Sequence, residues 1–67
     1  LTSEKKLLEA LDLLTMGKID VRSWWSKVGR ETHARLMMLK YIETVPNKNG
    51  STWYAQITNK GKEKIEQ

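Results

Sequence analysis

Tyr41-Ile42-Glu43-Thr44-Val45 and Thr52-Trp53-Tyr54-Ala55-Gln56-Ile57-Thr58 flank the run Pro46-Asn47-Lys48-Asn49-Gly50-Ser51, and the reading of this span decides the fold. Two β-prone runs separated by turn formers read as a β-hairpin. Pro46 lacks an N–H and belongs at a sheet edge or just before the turn. Asn49-Gly50 favours the positive φ that a tight reversal needs. In the return run Trp53, Ala55 and Ile57 alternate against Tyr54, Gln56 and Thr58, so the first set is expected to face the rest of the chain. Thr58 then caps a last helix from Asn59 to about Gln67, anchored by Ile65.

Everything before the hairpin reads as helix. Over residues 3–16, Leu7, Leu8, Leu11 and Leu14 form one apolar stripe, with Lys5, Glu9 and Asp12 off it. Thr2 or Ser3 serves as N-cap, Glu4 suits the first turn, and Gly17 stops the helix. Leu13 and Met16 extend the apolar surface, so this helix is expected to meet two neighbours. Lys18-Ile19 makes a short extended link or strand. Asp20 caps a second helix, Val21–Val28, on which Val21, Trp24, Trp25 and Val28 recur at helical spacing while Arg22, Ser23, Ser26 and Lys27 face out. That spacing makes the paired tryptophans core residues before a ligand cage or stacking platform, with Trp25 the one expected to show an edge. Gly29 breaks the helix. A third follows from Arg30 or Glu31 to Lys40, with Thr32, Leu36 and Leu39 on one face, Met38 expected in the core and Met37 at the surface.

The 67 residues allow one domain, 1–67, with one small core. There is no cysteine, so no disulfide or thiolate-bound metal staples it. The chain begins at Leu1 rather than Met, which fits a piece of a longer protein. No apolar run approaches the ~20 residues that span a bilayer, and no signal-peptide pattern is present. A cytoplasmic or nucleoid-associated location is therefore expected. Net charge is +4. Residues 18–62 concentrate it, with Lys18, Arg22, Lys27, Arg30, Arg35, Lys40, Lys48, Lys60 and Lys62 against Asp20, Glu31 and Glu43. A basic middle between near-neutral ends suits a polyanionic partner, although a lysine-rich solvated surface has the same composition.

Catalysis has little material. His33 is the one histidine, no paired carboxylates stand in an apolar context, and Gly29, Gly50 and Gly61 stand singly rather than in a phosphate-binding loop. No enzyme activity, cofactor, metal or small-molecule substrate is expected. DNA binding has its parts. A short helix, a glycine turn and a further helix mark a helix-turn-helix, whose second helix enters the major groove. Arg30, Thr32, His33 and Arg35 lead that helix, and Met37 offers contact to a thymine methyl. Arg22, Ser23, Ser26 and Lys27 are expected on phosphates, and Asn47, Lys48, Asn49 and Ser51 at the hairpin tip on an adjacent backbone or minor groove.

Val21-x-x-Trp24-Trp25-x-x-Val28-Gly29, Leu36-x-x-Leu39 before a strand and Tyr54-x-x-Ile57-Thr58-x-x-Gly61 together resemble the winged helix-turn-helix regulators of the MarR, PadR and ArsR kinds over nearly the whole chain. The resemblance implies an α+β fold with a three-helix core, a two-stranded wing and a short C-terminal helix. It also implies transcription regulation through sequence-specific double-stranded DNA binding, with helix 30–40 in the major groove and wing 46–52 beside it. Arg30, Thr32, His33, Arg35 and Lys48 would be its readers. Three departures stand out. Lys40-Tyr41 occupies the place where such families often have Gly, Trp25 replaces a small residue, and long dimerisation helices are missing. The expected partners are thus duplex DNA and, weakly, a second copy through Leu13, Met16 and the last helix. The competing reading is a winged-helix adaptor that docks on protein through Met37, Trp25 and Leu13 without reading bases. The expected core is Leu7, Leu8, Leu11, Leu14, Val21, Trp24, Val28, Leu36, Leu39, Ile42, Trp53 and Ile57.

Overall fold

The computed structural model describes residues 3–66. Thr2, one of the two cap candidates, and Gln67, the expected end of the last helix, lie outside the described residues. The order is α1 (Glu4–Leu14), β1 (Ile19–Asp20), α2 (Val21–Val28), α3 (Arg30–Met38), β2 (Ile42–Pro46), β3 (Trp53–Ile57) and α4 (Asn59–Glu66). This is an α+β fold of four helices and one antiparallel sheet.

Local chemistry sets the helix ends. Ser3 Oγ accepts the Lys6 N–H at 3.2 Å at the start of α1. The helix stops at Leu14, two residues before the expected Met16, where Thr15 Oγ1 donates to the Asp12 carbonyl and the Gly17 N–H bonds the Leu14 carbonyl. Asp20 caps α2 as expected, its carboxylate accepting the Ser23 N–H at 3.4 Å. The Ser23 side chain, and after it this backbone contact, hold the Asp20 carboxyl below its ordinary range. Helix α3 ends at Met38, short of the expected Lys40. There the Lys40 N–H bonds the Met37 carbonyl and the Tyr41 N–H bonds the Leu36 carbonyl, both at 3.1 Å, closing a Schellman turn. Lys40 takes the left-handed place in that turn, at φ 63°, so it performs the glycine's job at some steric cost. Its carbonyl accepts the Thr58 hydroxyl at 2.7 Å, and the Tyr41 carbonyl accepts the Thr58 N–H at 2.9 Å.

The sheet departs from a two-stranded hairpin. The link at residues 18–19 supplies part of a third strand, and the strand order is β1-β3-β2. Ile19 pairs with Ala55 and Asp20 with Tyr54, while β2 and β3 run from Ile42↔Ile57 to Pro46↔Trp53. A two-residue apolar-acidic segment carries no readable alternation, so its strand character comes from the free edge of β3 rather than from itself.

The core joins Leu7, Ala10, Leu11 and Leu14 of α1 to Trp24, Leu36, Ile42 and Ala55. Val28, Leu39 and Ile57 pack against it half-buried, as does Ile65 of α4, while Leu8 and Val21 are half-buried outside that cluster. Ala10 fills the place on the α1 stripe assigned to Leu8. Two further expectations are corrected. Trp53 is 50% exposed rather than core: it pairs with exposed Pro46 at the hairpin end of β3, past Ala55, where the strand runs beyond the buried cluster. Met38 is 76% exposed and Met37 37%, because α3 buries only Thr32 and Leu36 and leaves both methionines off that face. Helix α4 lies against α1 through the Glu4–Lys64 ion pair at 2.7 Å. Gly61 permits its close seat on the sheet, since a Cβ there would overlap the Tyr41 carbonyl oxygen and press Ile57 Cγ1 at 2.8 Å.

Candidate nucleic-acid interface

Gly29 is the whole connection between α2 and α3. Its φ of 84° lets the chain reverse in one residue, and its N–H still bonds the Trp25 carbonyl at 2.8 Å. The turn sets the first residues of α3 beside the second turn of α2. There Arg30 lays its guanidinium over the Trp25 ring, 4.7 Å from the centroid. His33, one turn on, meets Trp25 edge to face at 5.7 Å between ring centroids. It also accepts the Trp24 indole N–H on Nδ1 at 3.1 Å.

The expected readers therefore divide. Arg30 and Arg35 are exposed. Thr32 is not available to a groove: at 3% exposure it lies on the buried stripe with Leu36, one turn apart on the face that meets α1. His33 is half-buried rather than solvated. Because Nδ1 accepts from Trp24, the neutral ring carries its proton on Nε2, and burial pushes its pKa below the ordinary 6.5. What His33 can present outward is one N–H donor.

On α2, Arg22, Ser23, Ser26 and Lys27 are all exposed, and Arg22 and Lys27 border different hollows. Arg22 lines an open cleft of about 480 Å³ between the start of α2 and the hairpin, together with Trp25, Ser51 and Trp53. Lys27 lines a separate groove with Glu9 and Leu13 of α1. Met37 borders a third hollow with Lys40 and Glu43. The structure thus brings Arg22 and the hairpin base to one cleft, with Arg30 against its lining residue Trp25, while Lys27 and Met37 border other hollows.

At the hairpin tip, Asn47, Asn49 and Ser51 bond one another. The Ser51 N–H reaches both Asn47 Oδ1 and Asn49 Oδ1 at 3.0 Å, Ser51 Oγ donates to Asn49 Oδ1 at 2.6 Å, and Asn47 Nδ2 donates to Ser51 Oγ at 3.2 Å. Their polar atoms shape the turn. Lys48 is left as the exposed cation of the tip. Lys18 adds a second cation lower on the sheet, over the Tyr54 ring at 4.7 Å.

Sequence reasoning missed Trp53 as a surface residue and Trp25 as the seat of Arg30. The first depended on where the buried cluster ends along β3, at Ala55 and Ile57, which a two-residue alternation does not reveal. The second depended on the one-residue turn at Gly29, whose geometry no spacing rule supplies. Among the described residues, no group of three or more His, Asp or Glu side chains is placed to hold a metal, and no helix is long and apolar enough to cross a membrane. Compared with protein-family models, curated proteins and solved structures, the chain finds no match.

Proposed function

We propose that the chain is a winged helix-turn-helix domain that binds double-stranded DNA as a transcription regulator, with α3 in the major groove and the hairpin tip on the adjacent backbone or minor groove. One observation carries this reading. Helix α3 gives only Thr32 and Leu36 to the core, and its first turn presents Arg30 at the end of a one-residue turn from α2. A helix held by so narrow a stripe keeps most of its circumference for a partner. The N-terminal residues of the second helix are also the ones that reach base edges in this motif. Arg22, Lys48 and Lys18 supply cations for phosphates on either side, in a region whose net charge is strongly positive.

A protein-docking role is the second reading, favoured by the exposed apolar side chains Leu13, Met16 and Met38 at 41%, 93% and 76%. Titration of a labelled mixed-sequence duplex at 50 and 200 mM salt separates the two. Contacts to several phosphates should cost more than tenfold in affinity across that range. Affinity for duplex that is absent, or that ignores salt, sinks the DNA reading and leaves protein docking in front.

A further inference from the structure

The cleft between the start of α2 and the base of the hairpin is not needed by a helix lying in a groove. Asp20, Arg22 and Trp25 line one side of it, and Ser51, Thr52 and Trp53 the other. Two of these are indoles. Trp53 stands 50% exposed, and Trp25 is half-buried with Arg30 against its ring. Trp25 Nε1 is moreover the one buried side-chain donor found without a hydrogen-bond partner among the described residues. An aromatic residue of this size at half exposure leaves apolar area in water, and the indole stands as a platform.

The chemistry of the lining selects an occupant. A flat ring stacks on an indole whatever its substituents. Thr52 brings a hydroxyl, and Asp20 brings a carboxylate able to accept from an exocyclic amine. Arg22 in the lining and Arg30 on the neighbouring ring favour an attached negative charge. Planar, hydrogen-bonding and anionic at one end describes a nucleotide whose base is not paired. We infer that this cleft takes an unpaired nucleotide, its base stacked on Trp53 and its phosphate toward Arg22. The chain would then prefer DNA carrying an overhang or a bulged base next to the duplex. The inference deepens the DNA reading and rests on it for the neighbouring duplex contact.

The test compares a blunt duplex, the same duplex with a three-nucleotide 3′ deoxycytidine overhang, and an oligodeoxycytidine single strand, by anisotropy of the labelled DNA and quenching of protein indole fluorescence. Wild type, Trp53→Ala and Trp53→Tyr are measured, each first shown to melt as the wild type does. One stacked base is worth roughly 5- to 100-fold in affinity. The overhang duplex is therefore expected to bind at least fivefold tighter than the blunt one, with indole quenching. That preference should vanish in Trp53→Ala and return in Trp53→Tyr. Equal affinity of wild type for the two duplexes, or a preference that survives Trp53→Ala, overturns the inference while leaving duplex binding intact. Trp53-dependent binding of the single strand with none of the blunt duplex supports the cleft and removes the duplex reading. No binding of any DNA removes both and leaves the cleft to a protein segment.

Discussion

Trp24 and Trp25 are neighbours on α2, and about 100° of helical rotation separates their surroundings. Trp24 belongs to the core cluster that α1, α3 and the sheet share, is fully buried, and has its indole N–H satisfied by His33. Trp25 faces the hairpin side. Its ring is covered by a mobile type of side chain, the Arg30 guanidinium, and its N–H has no partner. On the first side apolar area is closed and the indole donor is paired, as a stable interior requires. On the second side the same residue type is left half-covered beside cations and an open cleft. The difference teaches that one short helix divides its labour by face, holding the fold with Trp24 and leaving Trp25 to organise a surface.

The sharpest way to break that comparison is truncation of the two rings. Trp24→Ala removes a wholly buried ring and strands the His33 acceptor, and should cost about 3–5 kcal/mol. Set against the roughly 3–10 kcal/mol expected of a chain this size, that brings the protein close to unfolding. Trp25→Ala should cost clearly less, about 1–2 kcal/mol, since part of its area is already exposed. Urea unfolding of both variants measures the gap. Equal losses would show that Trp25 is as much a core residue as Trp24.

Arg30 tests the open side directly. If α3 reads bases, Arg30→Ala should lower discrimination between a preferred and a scrambled duplex by about 1–3 kcal/mol. Lys48→Ala at the hairpin tip should instead weaken both duplexes alike and reduce the salt slope by about one unit. Competition titrations read the first and a salt series the second. An Arg30→Ala protein with unchanged preference would move recognition away from the Trp25 side of the molecule.

The closed side was the legible one. Leu7, Leu11, Leu14, Trp24 and Leu36 announce themselves by helical spacing, and Asp20 and Ser3 by capping chemistry, because burial and caps act within one turn. The hairpin was legible from Asn49-Gly50 and the alternation on either side. What escaped were relations between elements. The strand at Ile19–Asp20 pairs along the edge that β3 offers, and Trp53 is exposed where β3 runs past the buried cluster. Asn47, Asn49 and Ser51 looked like donors for a partner, yet they close on one another. Thr32 looked like a reader by its place in the third helix, although the same wheel put it beside Leu36, and the buried stripe prevailed.

His33 touches both sides at once, so its titration gives the smallest and most specific test. Its Nδ1 accepts from Trp24 and its ring meets Trp25. Burial lowers its folded pKa below the ordinary 6.5, so the folded protein resists a proton that the unfolded chain accepts. The sign follows from linkage. The contribution is complete above pH 6.5 and is lost as the pH falls toward and through the lowered folded value. Glu4 and Asp20, whose carboxyls are also held low by Lys64 and by the Ser23 contact, act only below their ordinary values of 4.5 and 3.8, in a separate window. Urea midpoints measured from pH 7.5 down to pH 5 should therefore decline in the wild type. In His33→Asn the amide oxygen sits where Nδ1 sat and still accepts from Trp24, but it does not titrate. Stability at pH 7.5 should change little, and the decline toward pH 5 should disappear. A variant that keeps the full decline would show that His33 is solvated in the folded protein, and the contact joining the two tryptophan environments would be lost with it.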